Sequence, residues 1–403
     1  LHKEFCRLLF VTEQSVFVRS KRKAMQTKQH SVVQNKYSKR VLIKNFTRNS
    51  ALKTLNFSFH SEFSTTDDAR ENGFLSYDST IAENRYFHYS VIVPVNSINN
   101  SCIMLLHGLN EQSWDKYISW AESLAASTRK PVILFPIAFH INRRPSEWSD
   151  PRKMTRLIEK RKSAEGDFSS LSFANAAISE RLTEEPLRFY NSGIQTVEDI
   201  SRLASQISNG RHPLFRKGTT MDFFGYSIGS FLSEILLMAN PGKLFSASRL
   251  FIFCGGAIFG NMYGESKYIM DKQAYNLLLK FYCENWIGTG YNQQLSEGNT
   301  NDILFQAFNS MIKPDINRNE RETFFESQKH RISGISLLKD KVMPFSGVEA
   351  CMGKQRASEC FEVMDFPFEY SHESPFPENG RIDRHDLKSA FNKVFKRGAE
   401  FLA

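Results

Sequence analysis

Short, mostly apolar runs at residues 102–106, 132–135, 221–224 and 250–254 alternate with stretches whose apolar positions recur every three to four residues. An apolar run without polar alternation is a strand buried on both faces, which requires helices on both sides of a largely parallel sheet. The chain is therefore expected to be α/β, with a mostly parallel central sheet flanked by helices. Residues 55–59 and 87–93 alternate apolar and polar, which predicts half-buried antiparallel strands, and 96–100 reads as a turn. Helices are predicted over 114–126, over 228–239 closed by Asn240-Pro241-Gly242, and around Val197, Ile200, Leu203, Ala204 and Ile207, stopping at Asn209-Gly210. Further strands are predicted at 335–338 and 361–368. A final helix carries Leu387, Phe391, Val394, Phe395 and Leu402 on one face.

Two interruptions, near 141–195 and 259–330, are where such a fold carries a lid or cap. Residues 142–193 are polar and read as an irregular insertion, whereas 268–327 reads as helix-rich. Tyr268, Leu277, Phe281 and Phe305 are the expected inner face of a lid over the site.

The net charge of +9 would suggest a nucleic-acid binder if it were spread over the fold. Residues 1–50 instead hold 12 Lys plus Arg against Glu4 and Glu13, so the rest of the chain sums to about −1. The basic character belongs to an N-terminal arm, expected to be solvated, and residues 51–403 form the folded domain. No nucleic-acid partner is expected. The arm's apolar run, Leu8-Leu-Phe-Val11, is shorter than the ~7–15 residues of a secretory signal core. No stretch reaches the ~18 apolar residues of a spanning helix. With Met25 the first methionine, Leu1 need not be the natural start, and a cytoplasmic location is the expectation. The six cysteines form no CxxC pair and have no His at metal spacing, so neither a metal nor a cofactor is expected. Cys102 and Cys254 fall in strand-like runs, where a thiol behaves as a small hydrophobe.

Chemistry is concentrated in Gly225-Tyr226-Ser227-Ile228-Gly229, a GxSxG pattern between an apolar strand and an apolar helix. A turn this sharp pushes Ser227 out beside a helix N-terminus, where the Ile228 N–H can face an oxyanion. The alternative is a glycine-rich turn with an idle serine. His107-Gly108 follows the strand two before this elbow, so its loop faces the serine and offers the Leu109 N–H as a second oxyanion donor. The His107 side chain is expected to fix that loop rather than to take protons.

A serine hydroxyl needs a base to remove its proton and a carboxylate to orient that base, in the chain order Ser, Asp or Glu, His. Asp340 follows the 335–338 strand and His372 follows the last strand. For Asp340 the alternative is a loop carboxylate paired with Lys339 or Lys341. His385, in the lead-in to the last helix, competes with His372. Asp365, expected within a strand, and Glu349, expected within a helix, compete less well with Asp340.

Gly225 to Gly229, His107-Gly108, Asp340 and His372 together resemble the α/β-hydrolase superfamily over roughly residues 85–403. The runs Ser172-Phe-Ala-Asn-Ala-Ala-Ile-Ser179, Phe253-Cys-Gly-Gly-Ala257 and Ser371-His-Glu-Ser-Pro-Phe-Pro377 resemble an uncharacterised bacterial family within it. The resemblance implies the fold and a serine nucleophile, not a substrate, and the chain lacks the HGGG oxyanion loop of lipases. The expected function is a serine hydrolase acting on a small-molecule carboxylic ester or related acyl bond. An acyltransferase and a non-catalytic scaffold on the same fold are the alternatives, and the oligomeric state is open.

Because the arm precedes every chemistry-bearing loop, a chain lacking residues 1–50 is expected to fold and to keep its turnover of an activated ester. Loss of soluble protein on that truncation would show that the arm belongs to the core.

Overall fold

The computed structural model describes residues 51–63, 78–97, 100–163, 165–286, 301–377 and 380–403. The chain divides into two compact units, Leu1–Arg48 and Asn49–Ala403, and the first lies outside the described residues, as does the expected basic arm.

Eight strands form one sheet in the order β1-β2-β4-β3-β5-β6-β7-β8. They are β1 (Leu52–His60), β2 (Tyr86–Pro94), β3 (Ser101–Leu106), β4 (Val132–Leu134), β5 (Thr220–Tyr226), β6 (Leu250–Phe253), β7 (Ile332–Leu337) and β8 (Phe361–Met364). β2 is antiparallel to both β1 and β4, and the remaining neighbours are parallel. This order, with an antiparallel edge and crossover helices on both faces, is the α/β-hydrolase fold.

The apolar runs have a direct cause. Cys102, Met104 and Leu106 face one apolar layer while Ile103 and Leu105 face the other. Helix α1 (Asp115–Thr128) and the C-terminal helix (Arg384–Leu402) cover the second face. Trp120 is wedged between them, 5.4 Å from the Phe395 ring and 5.1 Å from that of Tyr226. The opposite face is covered chiefly by the 22-residue Leu187–Ser208 helix and by Ile228–Ala239.

Residues 142–193 differ from expectation. They contain α2 (Pro151–Lys162) and α3 (Ala176–Glu184), and α4 (Leu187–Ser208) already begins within them. The start signal of α2 was readable: Asp150 caps it by accepting from the Lys153 N–H at 2.9 Å, and Pro151 takes the first turn. The polar composition hid the rest, because this segment buries ion pairs. Arg161 donates to both Asp271 and Glu180 at 2.7–2.9 Å, with all three buried. β7 begins at Ile332, earlier than expected, and β8 stops at Met364. Asp365 therefore lies beyond the strand, where it accepts from the Tyr370 hydroxyl at 2.8 Å. The expected helix-rich stretch begins as a loop and resolves into α6 (Lys272–Lys280), α7 (Asn301–Ser310) and α8 (Arg318–Ser327). Phe345–Met352, α9, carries Glu349 as expected, and Lys354–Cys360 is α10.

Register aligns the carboxyl ends of the central strands. Leu106 of β3 pairs with Gly225 of β5, Tyr226 with Phe253 of β6, Phe253 with Ile335 of β7, and Leu337 with Met364 of β8. Everything that follows these residues emerges along one edge.

The α5 helix (Ile228–Ala239) is buried almost all round and includes Glu234, whose two carboxylate oxygens find no partner among the described residues. Burial pushes its carboxyl well above the ordinary range, so it stays neutral in the folded chain. A folded pKa raised above the unfolded value of ~4.3 makes stability fall as pH rises through that point. Glu234→Met is expected to stabilise the fold by about 1–3 kcal/mol. Urea denaturation should show a larger gain at pH 8 than at pH 5, and an equal gain would mean that the carboxyl is satisfied.

Candidate active site

Ser227 follows β5 directly, with φ 56° and ψ −125°, a backbone conformation that non-glycine residues rarely hold. The turn leaves no room for side chains at its flanks. A Cβ at Gly229 would sit 2.5 Å from the Leu106 carbonyl oxygen, and one at Gly225 2.7 Å from the Ser230 Cα. The two glycines are thus required by the approach of α5 to β3 and by the tightness of its first turn.

Three side chains from three loops on this edge meet. His372 Nε2 lies 2.7 Å from the Ser227 Oγ, and His372 Nδ1 lies 2.8 Å from Asp340 Oδ2. The other Asp340 oxygen accepts the Val342 and Met343 N–H groups, each at 2.9 Å. Burial alone would raise the Asp340 carboxyl, but the His372 imidazole and these two donors more than offset it and hold the group below its ordinary value. Lys339 does not claim Asp340; its ammonium pairs with Glu369 at 3.1 Å. His385 is exposed on the first turn of the C-terminal helix, which Asp383 caps, so it stands apart from this cluster.

The His107 loop lies against the serine. A Cβ placed on Gly108 would be 3.4 Å from the Ser227 Cβ. His107 bridges two loops: Nδ1 donates to the Gly108 carbonyl at 2.8 Å, and Nε2 accepts the Ile137 N–H at 3.0 Å. Burial and the neighbouring His140 push its pKa well below the ordinary value, so it is a neutral brace. The Gly108 N–H is occupied, donating to the Tyr117 hydroxyl at 3.0 Å, while Tyr117 donates to Glu111 at 2.7 Å. Among the described residues the Leu109 and Ile228 N–H groups have no acceptor.

The contacts of three residues at this edge, Tyr226 of the elbow pattern among them, escaped sequence reasoning. Tyr226, whose side chain faces away from the serine, donates its hydroxyl to the His372 carbonyl, and its ring stacks on the imidazole at 5.5 Å and 17°. Lys116 lies 4.8 Å from the Tyr226 ring centroid and donates to the Glu373 carbonyl at 3.1 Å, bracing the same loop. Asn110 donates to the Ala174 carbonyl at 2.9 Å and the Tyr268 carbonyl at 2.7 Å, joining the oxyanion-side loop to both insertions. The insertions are themselves joined, Ser172 donating to the Lys267 carbonyl and Asn175 to that of Ser266 at 2.8 Å. No sequence spacing announces an asparagine that bridges two distant carbonyls.

An almost wholly apolar cleft of about 480 Å³ opens beside Ser227. Met262, Ile269, Met270, Tyr275, Leu278 and Leu279 wall it from the second insertion, opposite Leu109, Ile228 and Met343. The four residues expected to line a lid are elsewhere. Tyr268 is exposed, Leu277 does not reach the cleft, and Phe281 and Phe305 pack around Trp286. Tyr268 falls outside α6, which starts only after its Asp271 cap, where Asp271 accepts the Ala274 N–H at 2.9 Å, and the face of α6 that lines the cleft carries Tyr275, Leu278 and Leu279.

A family model described as a family of unknown function, DUF6051, matches residues 12–403. No curated protein sequence matches the chain. Among solved structures the chain is similar to carboxyl esterase 2 of the mycorrhizal fungus Tuber melanosporum, at 9% identity, with 89% of this chain and 88% of that one covered and a TM-score of 0.46. It is similar to brefeldin A esterase, a bacterial homologue of human hormone-sensitive lipase, at 13% identity, 89% and 78% coverage and a TM-score of 0.45. A third is a Pyrobaculum calidifontis esterase, at 8% identity, 87% and 84% coverage and a TM-score of 0.42. Identities this low leave the chemistry to be read from the residues of this chain.

Asn110→Ala is expected to loosen both insertions without unfolding the sheet. Hydrogen exchange should accelerate around residues 172–175 and 266–271 while β3 and β5 stay protected, and unchanged exchange in both segments would show that the clamp is redundant.

Proposed function

We propose that this chain, which belongs to DUF6051, is a serine hydrolase that cleaves a carboxylic ester or related acyl bond of a small molecule through an acyl-enzyme at Ser227. One observation carries the reading: the hydrogen-bonded series from Asp340 through His372 to Ser227, ending on a serine whose backbone is held in a strained turn.

His372 Nε2 takes the hydroxyl proton as Ser227 Oγ bonds to the carbonyl carbon of the substrate. The carbonyl π electrons move onto oxygen, to which the free Leu109 and Ile228 N–H groups would donate hydrogen bonds; one such donor is typically worth about 10²–10³-fold in rate. Collapse re-forms the carbonyl and breaks the bond to the leaving group, which takes the proton from His372. Water, deprotonated by the same imidazole, then attacks the acyl carbon; collapse breaks the bond to Ser227 Oγ, which takes the proton back from His372, and the acid is released. Asp340 accepts from Nδ1 throughout, fixing the tautomer and stabilising the imidazolium that forms. His107 takes no proton in this scheme. Burial and its two hydrogen bonds keep it neutral while it holds the loop that carries the Leu109 donor.

The purified protein is expected to react covalently with a fluorophosphonate at Ser227 and at no other serine. Labelling should vanish in Ser227→Ala and fall to nearly that level in His372→Ala, because residues acting as one unit are not additive. Asp340→Asn should slow labelling by about 10⁴-fold, through the wrong tautomer, and His385→Ala should keep most of it. Folded wild-type protein that refuses both the fluorophosphonate and a small sulfonyl fluoride would move the assignment to a non-catalytic scaffold.

A further inference from the structure

A second cleft adjoins the first, and Leu109 and Phe189 line both. Its lining is still mostly apolar, but it adds cations that the first cleft lacks. Arg144, Arg181 and Arg188 line it together with Trp148 and Phe139. Arg181 lies between the two aromatic rings, with its guanidinium carbon 4.5 Å from the Phe139 centroid and 4.6 Å from that of Trp148.

The charges here do not cancel. Arg181 pairs with Asp78 at 2.6 Å, and Arg188 pairs with Asp78 at 3.4 Å and with Glu184 at 3.0 Å, so two cations meet two anions. Glu111, the one acidic residue lining the cleft, is taken by Lys116. Arg144 forms no ion pair among the described residues; the only hydrogen bond of its guanidinium there runs from Nη2 to the Trp148 carbonyl at 2.8 Å. Its Nε is buried without an acceptor, and so is the Trp148 Nε1. Burying a guanidinium unpaired is costly, and each orphaned buried donor costs about 1–3 kcal/mol more. The Arg144 Nη1, which makes no hydrogen bond among the described residues and is not sealed off as Nε is, is the donor an arriving anion would meet. Burial drives the His140 pKa to about 4, and Arg144, Arg143 and Arg181 push it the same way, so the imidazole next to Arg144 stays neutral and adds no charge.

We propose that this second cleft is a carboxylate subsite, in which Arg144 pairs with an anionic group on the substrate of Ser227 while an apolar portion fills the first cleft. One uncompensated guanidinium matches a monoanion better than a doubly charged phosphate. The substrate class is then an ester with an apolar end and a carboxylate end. Only the step at Ser227 rests on the hydrolase reading; the anion site stands on the second cleft alone.

Two ligands that differ in charge but hardly in shape test it, 4-carboxyphenyl butanoate and 4-carbamoylphenyl butanoate. Calorimetry on Ser227→Ala, which removes turnover from the measurement, should give at least tenfold tighter binding of the carboxylate. Arg144→Gln in that background should bring the affinity ratio to about one, and Arg144→Lys should restore part of it. In otherwise wild-type protein the ratio of kcat/KM for the two esters should follow the same pattern. Equal affinities in Ser227→Ala, including no measurable affinity for either ligand, would overturn the subsite, as would a preference that survives Arg144→Gln. If the calorimetric preference appears but fluorophosphonate labelling fails, the hydrolase reading falls and the anion site stands.

Discussion

The site depends on a contact between a helix and a strand end. α5 runs so close to the carboxyl end of β3 that the Leu106 carbonyl tolerates nothing larger than hydrogen on Gly229. That approach fixes the Ser227 turn, the His107-Gly108 turn and the two central strands as one body. Its cost is carried by Ser227, held at φ 56° where a side chain is strained by about 1–3 kcal/mol. Dense packing beneath the turn maintains the strain: Tyr226 is locked between Trp120, Phe253 and the His372 ring. The residue beside the serine therefore does two jobs, filling the layer below the sheet and setting the height of the imidazole.

Above the sheet the logic is polar. Arg161, Glu180 and Asp271 form a buried ionic knot between the two insertions, and Asp271 also caps α6. Buried ion pairs add little net stability over well-packed apolar groups, but removing one partner is severe, commonly about 3–5 kcal/mol. Their value here is geometric: charged forks accept one arrangement, whereas an apolar interface would slide. The knot fixes one insertion against the other, and Asn110 ties both to the oxyanion-side loop. The cleft walls are thus set relative to Ser227 by directional bonds added to apolar packing, since Met262, Ile269, Met270 and Leu278 also belong to the main core.

This division explains what could be read from sequence. The strands were legible because a strand covered on both faces has no polar position to spare, as Cys102 to Leu106 show. That Ser227, Asp340 and His372 would meet was legible because topology dictates which loops reach the carboxyl edge of the sheet. Residues 142–193 were not, since the helices that bury Arg161 and Glu180 look like solvated surface until their pairing with each other and with the distant Asp271 is known. The lid face failed for another reason. Tyr268 precedes α6, which begins after its Asp271 cap, and within the run Leu277-Leu278-Leu279 apolar spacing alone does not say which leucines turn to the cleft. Asp365 was misplaced into β8 because the strand ends on a side-chain turn with Tyr370 that spacing does not announce.

The two clefts meet at Leu109, which lines the apolar one and the arginine-lined one alike and follows the Gly108 turn that lies against Ser227. A ligand filling both would press on the same short loop from two sides, and that loop is braced by Tyr117 through Gly108 and by His107 through Ile137. In the proposed hydrolase, binding energy collected far from the reacting carbon would hold the Leu109 donor where negative charge develops, which raises turnover rather than merely tightening the ground state. On that proposal a neutral ester too short to reach the arginines would react without such support, and selectivity and rate would be two consequences of one loop position.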